Sequence, residues 1–317
     1  MAGITVLMAA IGLLQVFNKH FNPDELQHLH IGWLIANGEV MYRDFWEHHG
    51  PLYGLLNGAL QDVPDAEPSM CIAFWARLLR YITMCGITVL IWQIDRQLTL
   101  SQLGAGMEVV AYYLLIIVHQ KGIEMRPDSL QTLFWIAGVY LLLRNQSNGN
   151  LKRAILAGVL FTLSILANSK AGLGAFFVVV FYLTGHWLCD LSWADIWRDM
   201  RGMMIGACMC FAPFLVYFLA TDSLYDFFYY NFIWNVEVIF HWTGDFQFVS
   251  SPQKQISTSA KNFEFFLGKQ LPFFLLSIIG AFLWLGKLGG SADQATRQRN
   301  WLFLIVSVGT TLGWKLD

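Results

Sequence analysis

Charge is what this chain has least of. Only 13% of its 317 residues are Asp, Glu, Lys or Arg, against about a quarter in an ordinary soluble domain, so half the expected polar surface is missing. The net charge of −2 provides no basic face to neutralise phosphates, which argues against a nucleic-acid partner. Cysteine is sparse too. Cys71, Cys85, Cys189, Cys208 and Cys210 all lie within or beside apolar runs, without metal-ligand spacing, and support neither a disulfide framework nor a zinc site. No internal repeat is visible.

What the chain has instead is apolar surface. Hydrophobic residues make up 56% of it and aromatics 15%, with 13 Trp, many at the ends of apolar runs. Mean hydropathy is +0.48. A bilayer is the natural solvent for such a chain, and terminal Trp residues suit interfacial belts. The pattern predicts an all-α, polytopic transmembrane bundle of about nine spans. These fall at 1–17, 72–93, 103–118, 129–143, 154–167, 171–189, 202–220, 270–286 and 300–316. The first run lacks a cleavage-site pattern and reads as a retained anchor. The chain reads as one transmembrane domain over 1–317, cut short at its C-terminus, because the last run stops almost as soon as it has crossed.

With the N-terminus inside, the loops at 94–102, 144–153, 190–201 and 287–299 carry nine Lys/Arg in about 44 residues, against eight in about 117 outside. That asymmetry sets the orientation. It also puts nearly all chemically capable residues on the outer side: the first outer loop 18–71, the segments 119–128 and 168–170, and a second long loop 221–269. The site then faces the periplasm or exterior of a cell (inner) membrane. One-sided placement favours an enzyme at one membrane face over a channel, whose polar groups sit in mid-span.

Within the first outer loop, "NPDEL" from Asn22 to Leu26 reads as a helix start. Asn22 is a good N-cap, Pro23 fits the first position, and Glu25 completes a capping box. Leu26, Leu29, Trp33 and Asn37 recur at helical spacing, and Asn37-Gly38 is a stop. The spacing predicts a short amphipathic helix on the outer membrane surface. Asp24 and Glu25 would favour the helix dipole with no further role, but their neighbours raise another possibility. Tyr42, Asp44, Glu47, His48, His49, Pro51 and Tyr53 follow at once, and "EMRPD" places Glu124, Arg126 and Asp128 in the next outer segment. Lys170 sits in a turn between two spans. Arg77 and Arg80 lie in the second span, where lipid exposure would cost about 2.5–3.5 kcal/mol, so they must face protein, water or an anion such as phosphate.

The order of a carboxylate pair, a helix, "GEVMYRD", "HHGPLY" and then "RPD" resembles the polytopic GT-C glycosyltransferases. The nearest branch is the protein O-mannosyltransferase and aminoarabinose-transferase group, over residues 1–190. The resemblance implies sugar transfer from a polyprenyl-phosphate donor to an acceptor hydroxyl on a protein, lipid or glycan, as a single inverting displacement. It implies Asp24 as catalytic base, with Glu25 beside it. Donor phosphate and sugar would fall to His48, His49, Tyr53, Arg77, Glu124, Arg126, Asp128 and Lys170. One departure stands out. The aminoarabinose branch commonly has Glu-Lys-Pro-Pro where this chain reads His48-His49-Gly50-Pro51, which points away from a lipid A role.

No cofactor is required on this reading. A divalent metal is the minor alternative: some GT-C branches hold one, and His28, His30, His48 and His49 invite it, but His28 and His30 face apart on a helix. Two other functions compete. A transporter or flippase would line a path with Arg77, Arg80, Glu108 and Lys170, whereas a scaffold would bind a partner through the outer loop. Convergence of Asp24, His48, Arg126 and Lys170 in one pocket would favour the transferase.

Overall fold

A computed structural model describes residues 2–61, 70–98, 101–114, 122–188, 190–234, 296, 298 and 300–302. The named elements are helical: α1 (Ala2–Asn18), α2 (Pro23–Ala36), α3 (Pro51–Gln61), α4 (Met70–Gln97), α5 (Gln102–Leu114), α6 (Pro127–Asn148), α7 (Leu151–Ala167), α8 (Ala171–Leu188), α9 (Trp193–Ala220) and α10 (Leu224–Phe228). A π-helical turn, Tyr229–Ile233, follows. There is no strand among the described residues, only an isolated bridge between Met41 and Phe45.

The first seven predicted spans fall on α1 and α4 to α9. Two segments are long and apolar enough to cross a membrane by length and composition, Cys71–Gln97 in α4 and Trp193–Ala220 in α9. Of the remaining predictions, span 270–286, nearly all of span 300–316 and loop 235–269 lie outside the described residues.

Small residues set the tightest packing. A Cβ on Gly206 of α9 would lie 1.9 Å from the Ile155 carbonyl oxygen of α7, and one on Gly158 of α7 would lie 2.1 Å from the Met203 carbonyl oxygen of α9. Only glycine lets these backbones approach so closely, a common device where lipid removes the hydrophobic drive between helices. α7 also packs on α6, and α6 on α4, while α1 and α5 flank α4. Trp135, Leu142, Leu143, Phe161 and Phe181 fill the largest buried cluster. Many apolar side chains point outward instead, among them Trp75, Ile82 and Val89 of α4 and Met204, Met209 and Val216 of α9. Such a surface is at home in hydrocarbon.

At one end of this bundle α2 lies against α3, and α3 rests on α7. α2 starts as the sequence requires. The Asn22 side chain accepts from the Asp24 amide, the Glu25 carboxylate accepts from the Asn22 amide at 2.9 Å, and Asn37 ends the helix. Its two faces are distinct, and the polar one is turned inward. Leu26 and Trp33 are exposed, whereas Glu25, His28, Ile31 and Gly32 form the buried face.

Candidate active site

The helix starts of α2 and α6 and the turn between α7 and α8 meet at this end. Asp24, in the first turn of α2, keeps 47% of its side chain accessible, and its Oδ2 takes Nη1 of Arg126. Arg126 Nε donates to Asp128 Oδ2 at 3.0 Å, and Asn168 Nδ2 donates to Asp128 Oδ1 at 3.2 Å. Partial burial pushes the Asp128 carboxyl up, but the Arg126 guanidinium outweighs it and holds the group below its ordinary value. Lys170 stands in the field of both. Desolvation lowers its ammonium pKa, with Asp128 opposing and Arg126 assisting. Partners that are 102 residues apart in sequence therefore share one ion-pair chain.

Next to it lies the loop joining α2 to α3. Glu47 is buried, and its Oε1 accepts the His48 and His49 amides at 2.9 and 2.8 Å and His49 Nδ1 at 2.6 Å. Burial pushes the Glu47 carboxyl up, yet these His49 and His48 contacts hold it down at about 2. His48 stacks on Trp46 with ring centroids 4.9 Å apart. Burial, with the neighbouring His49, lowers the His48 pKa to about 4, which keeps its imidazole neutral at pH 7. Tyr42 fixes the loop from behind. Its φ is +72°, unusual for a bulky residue, and it is held there by a hydroxyl that donates to the His49 carbonyl at 2.7 Å. Its ring lies against Phe218 and Phe227. Such strain persists only where the surroundings over-determine it.

Gly50 gives this loop its depth. A Cβ there would lie 2.1 Å from the Leu166 carbonyl oxygen at the end of α7. Gly50→Ala is expected to force the loop off α7 and destabilise the protein by about 1–3 kcal/mol, read as a lowered Tm in detergent micelles. An unchanged Tm would contradict this packing.

The other predicted site residues are built into the scaffold. Glu25 is fully buried and forms a two-pronged ion pair with Arg77, Nε to Oε1 at 2.8 Å and Nη2 to Oε2 at 2.7 Å. It also accepts the Met125 amide at 3.1 Å. Arg77 gives its remaining hydrogens to the carbonyls of Val16, Lys19 and His20. A guanidinium has five N–H donors, so this arrangement leaves none for a phosphate. Glu124 is buried and pairs with Lys19 at 2.7 Å. Tyr53 is buried between Arg80, whose guanidinium lies 4.4 Å from its ring centroid, and His28, 5.0 Å away. Of the predicted site residues, Asp24, Arg126, Asp128, Lys170, His48 and His49 are those that the structure gathers at this end.

Asn168 and His28 belong to this neighbourhood as well; the sequence put Asn168 in the outer turn without a role and grouped His28 with His48 and His49 only as a metal alternative. For His28 the signal was its three-residue spacing from Glu25 on one face of α2. An apolar cavity of about 210 Å3 lies behind the loop, lined by residues of α7, α9 and α10 including Leu166, Phe211 and Phe227.

The described residues form an all-helical bundle with apolar outer faces and a charged cluster at one end, as suits a membrane-integral protein. Residues 71–217 match the dolichyl-phosphate-mannose-protein mannosyltransferase family, which supports a GT-C superfamily glycosyltransferase. The matched region contains Arg126, Asp128 and Lys170, and the resemblance read from the outer-loop motifs is borne out at that level. No curated protein matches the chain.

Proposed function

We propose that the chain moves a sugar from a polyprenyl-phosphate donor to an acceptor hydroxyl at the outer face of a cell membrane. The observation that carries this reading is the gathering of Asp24, Arg126, Asp128 and Lys170 at one end of the bundle, beside His48 and His49. Asp24 is the base. In one displacement the acceptor oxygen bonds to the anomeric carbon, the bond from that carbon to the phosphate oxygen breaks, and the hydroxyl proton passes to Asp24. Arg126 holds Oδ2 of that carboxylate and leaves Oδ1 for the hydroxyl. Lys170, with His48, stabilises the charge that develops on the leaving lipid phosphate. The apolar cavity beside α7 and α9 suits the start of the lipid tail.

The geometry gives transport less support. Arg77 is consumed by Glu25 and backbone carbonyls, Arg80 lies under Tyr53, and Glu108 stands in the field of Asp95. These charges are distributed among separate contacts and do not line one path.

The purified chain in detergent, given labelled polyprenyl-phosphate mannose and hydroxyl acceptors, should release free polyprenyl phosphate with label on the acceptor. Lys170→Gln removes a charged contact to phosphate worth about 1.5–3 kcal/mol, so kcat/KM for the donor should fall about ten- to a hundredfold. An unchanged kcat/KM would remove Lys170 from the site.

A further inference from the structure

We propose that His28, Glu47 and His49 form a binding site for a divalent transition metal, zinc by preference. One ring nitrogen from each histidine and one Glu47 oxygen lie within 4.8 Å of one another. The three come from two rigid supports. His28 sits on the buried face of α2. Glu47 and His49 lie in the loop that Tyr42 and Gly50 pin against the bundle. The expected objection to a metal, that His28 and His30 diverge along α2, does not apply, because the partner of His28 is across the loop.

A second observation points to a ligand independently. Glu47 is only 2% exposed, and while its Oε1 accepts three hydrogen bonds its buried Oε2 accepts none from the described residues. A carboxylate oxygen taken out of water without a partner is costly unless something positive meets it. The ring centroid of His28 lies 5.1 Å from that of His49, which closes the set. Zinc bonds of about 2.0–2.1 Å place tetrahedral ligand atoms about 3.4 Å apart, so closing the site needs movements of at most about 1.4 Å between ligand atoms. Small side-chain rotations supply that.

Two nitrogens and one oxygen match zinc or its neighbours in the transition series, whereas magnesium and calcium prefer all-oxygen sets. Three protein ligands leave a fourth position for water. The site stands on this cluster alone, whether or not Asp24 is a catalytic base.

The full chain, purified without a polyhistidine tag and stripped with EDTA, is titrated with zinc, and bound metal is counted by mass spectrometry. One zinc per chain and a Tm that rises on zinc addition are expected. Glu47→Gln and His28→Asn should each weaken binding more than about tenfold and lose the Tm response. Cobalt added to the wild-type chain should give the visible bands of a tetrahedral ion, a readout that needs no variant to fold. A wild-type chain that binds no stoichiometric zinc, or whose cobalt spectrum is that of the hydrated ion, would leave only the Glu47–His49 hydrogen bond beside the His28 ring and overturn the proposal. Equal zinc affinity in wild type and both folded variants would overturn it too.

Discussion

Asp24→Asn is expected to lower kcat for sugar transfer by about 10²–10⁴-fold, the usual contribution of a positioned general base. Donor affinity should stay near the wild-type value, because the phosphate contacts assigned to Lys170 and His48 remain. Stability should barely change. Asp24 keeps nearly half of its side chain accessible, and exposed ion pairs contribute at most about 1 kcal/mol. An amide can still accept from Arg126 but cannot take a proton, so kcat separates base from orienting group. Loss of donor binding with kcat retained would instead make Asp24 a binding residue. Glu25→Gln provides the contrast: its neighbour in sequence should act on folding.

The largest expected effect on stability is at Arg77. Arg77→Met leaves the Glu25 carboxylate buried without its counter-charge and should cost about 3–5 kcal/mol, since breaking a buried pair strands the other ion. It also strips donors from the Val16, Lys19 and His20 carbonyls, which tie the end of α1 to the start of α2. The double variant Glu25→Met/Arg77→Met removes the stranded charge and should recover part of the loss. Recovery is incomplete because those three carbonyls stay unpaired, each at about 1–3 kcal/mol if no water reaches it. Thermal unfolding in micelles ranks the three proteins. Full stability in Arg77→Met would contradict the ion pair.

The same pair sets an acid limit. Burial raises the Glu25 pKa, but bonds from Arg77, Asn22 and Met125 outweigh it, and the net shift is below the ordinary 4.5. A carboxyl with a lowered folded-state pKa contributes stability that is present above the unfolded value and is lost as pH falls through the folded one. Stability should therefore decline below pH 4.5, and the decline should be shallower in the double variant.

Much of this was legible in the residues. The capping box at Asn22 and Glu25 follows from local hydrogen bonding, which sequence encodes directly. The grouping of Asp24 with Arg126, Asp128 and Lys170 came from counting spans, since alternate loops share an end of the bundle. The split within "DE" was not legible. Neighbouring helix positions point about 100° apart, so one carboxylate faces α4 and the other the open end. Which does which depends on Arg77, 52 positions later. What the inner face of α2 holds was not legible either, for a related reason. Leu26 and Trp33 are exposed, and the polar residues Glu25 and His28 are inside because buried partners await them. Hydrophobic periodicity finds the core face of a helix in water, and α2 belongs to a chain whose outer surface is itself apolar.

One measurement bears most directly on the transferase reading. Wild-type chain in proteoliposomes is given a polyprenyl-phosphate donor labelled in both sugar and lipid, with a hydroxyl acceptor outside. Transfer separates the two labels, with sugar on the acceptor and lipid phosphate left in the membrane, and Asp24→Asn leaves them together. Labels that stay joined in the wild type while the lipid crosses the bilayer would contradict it.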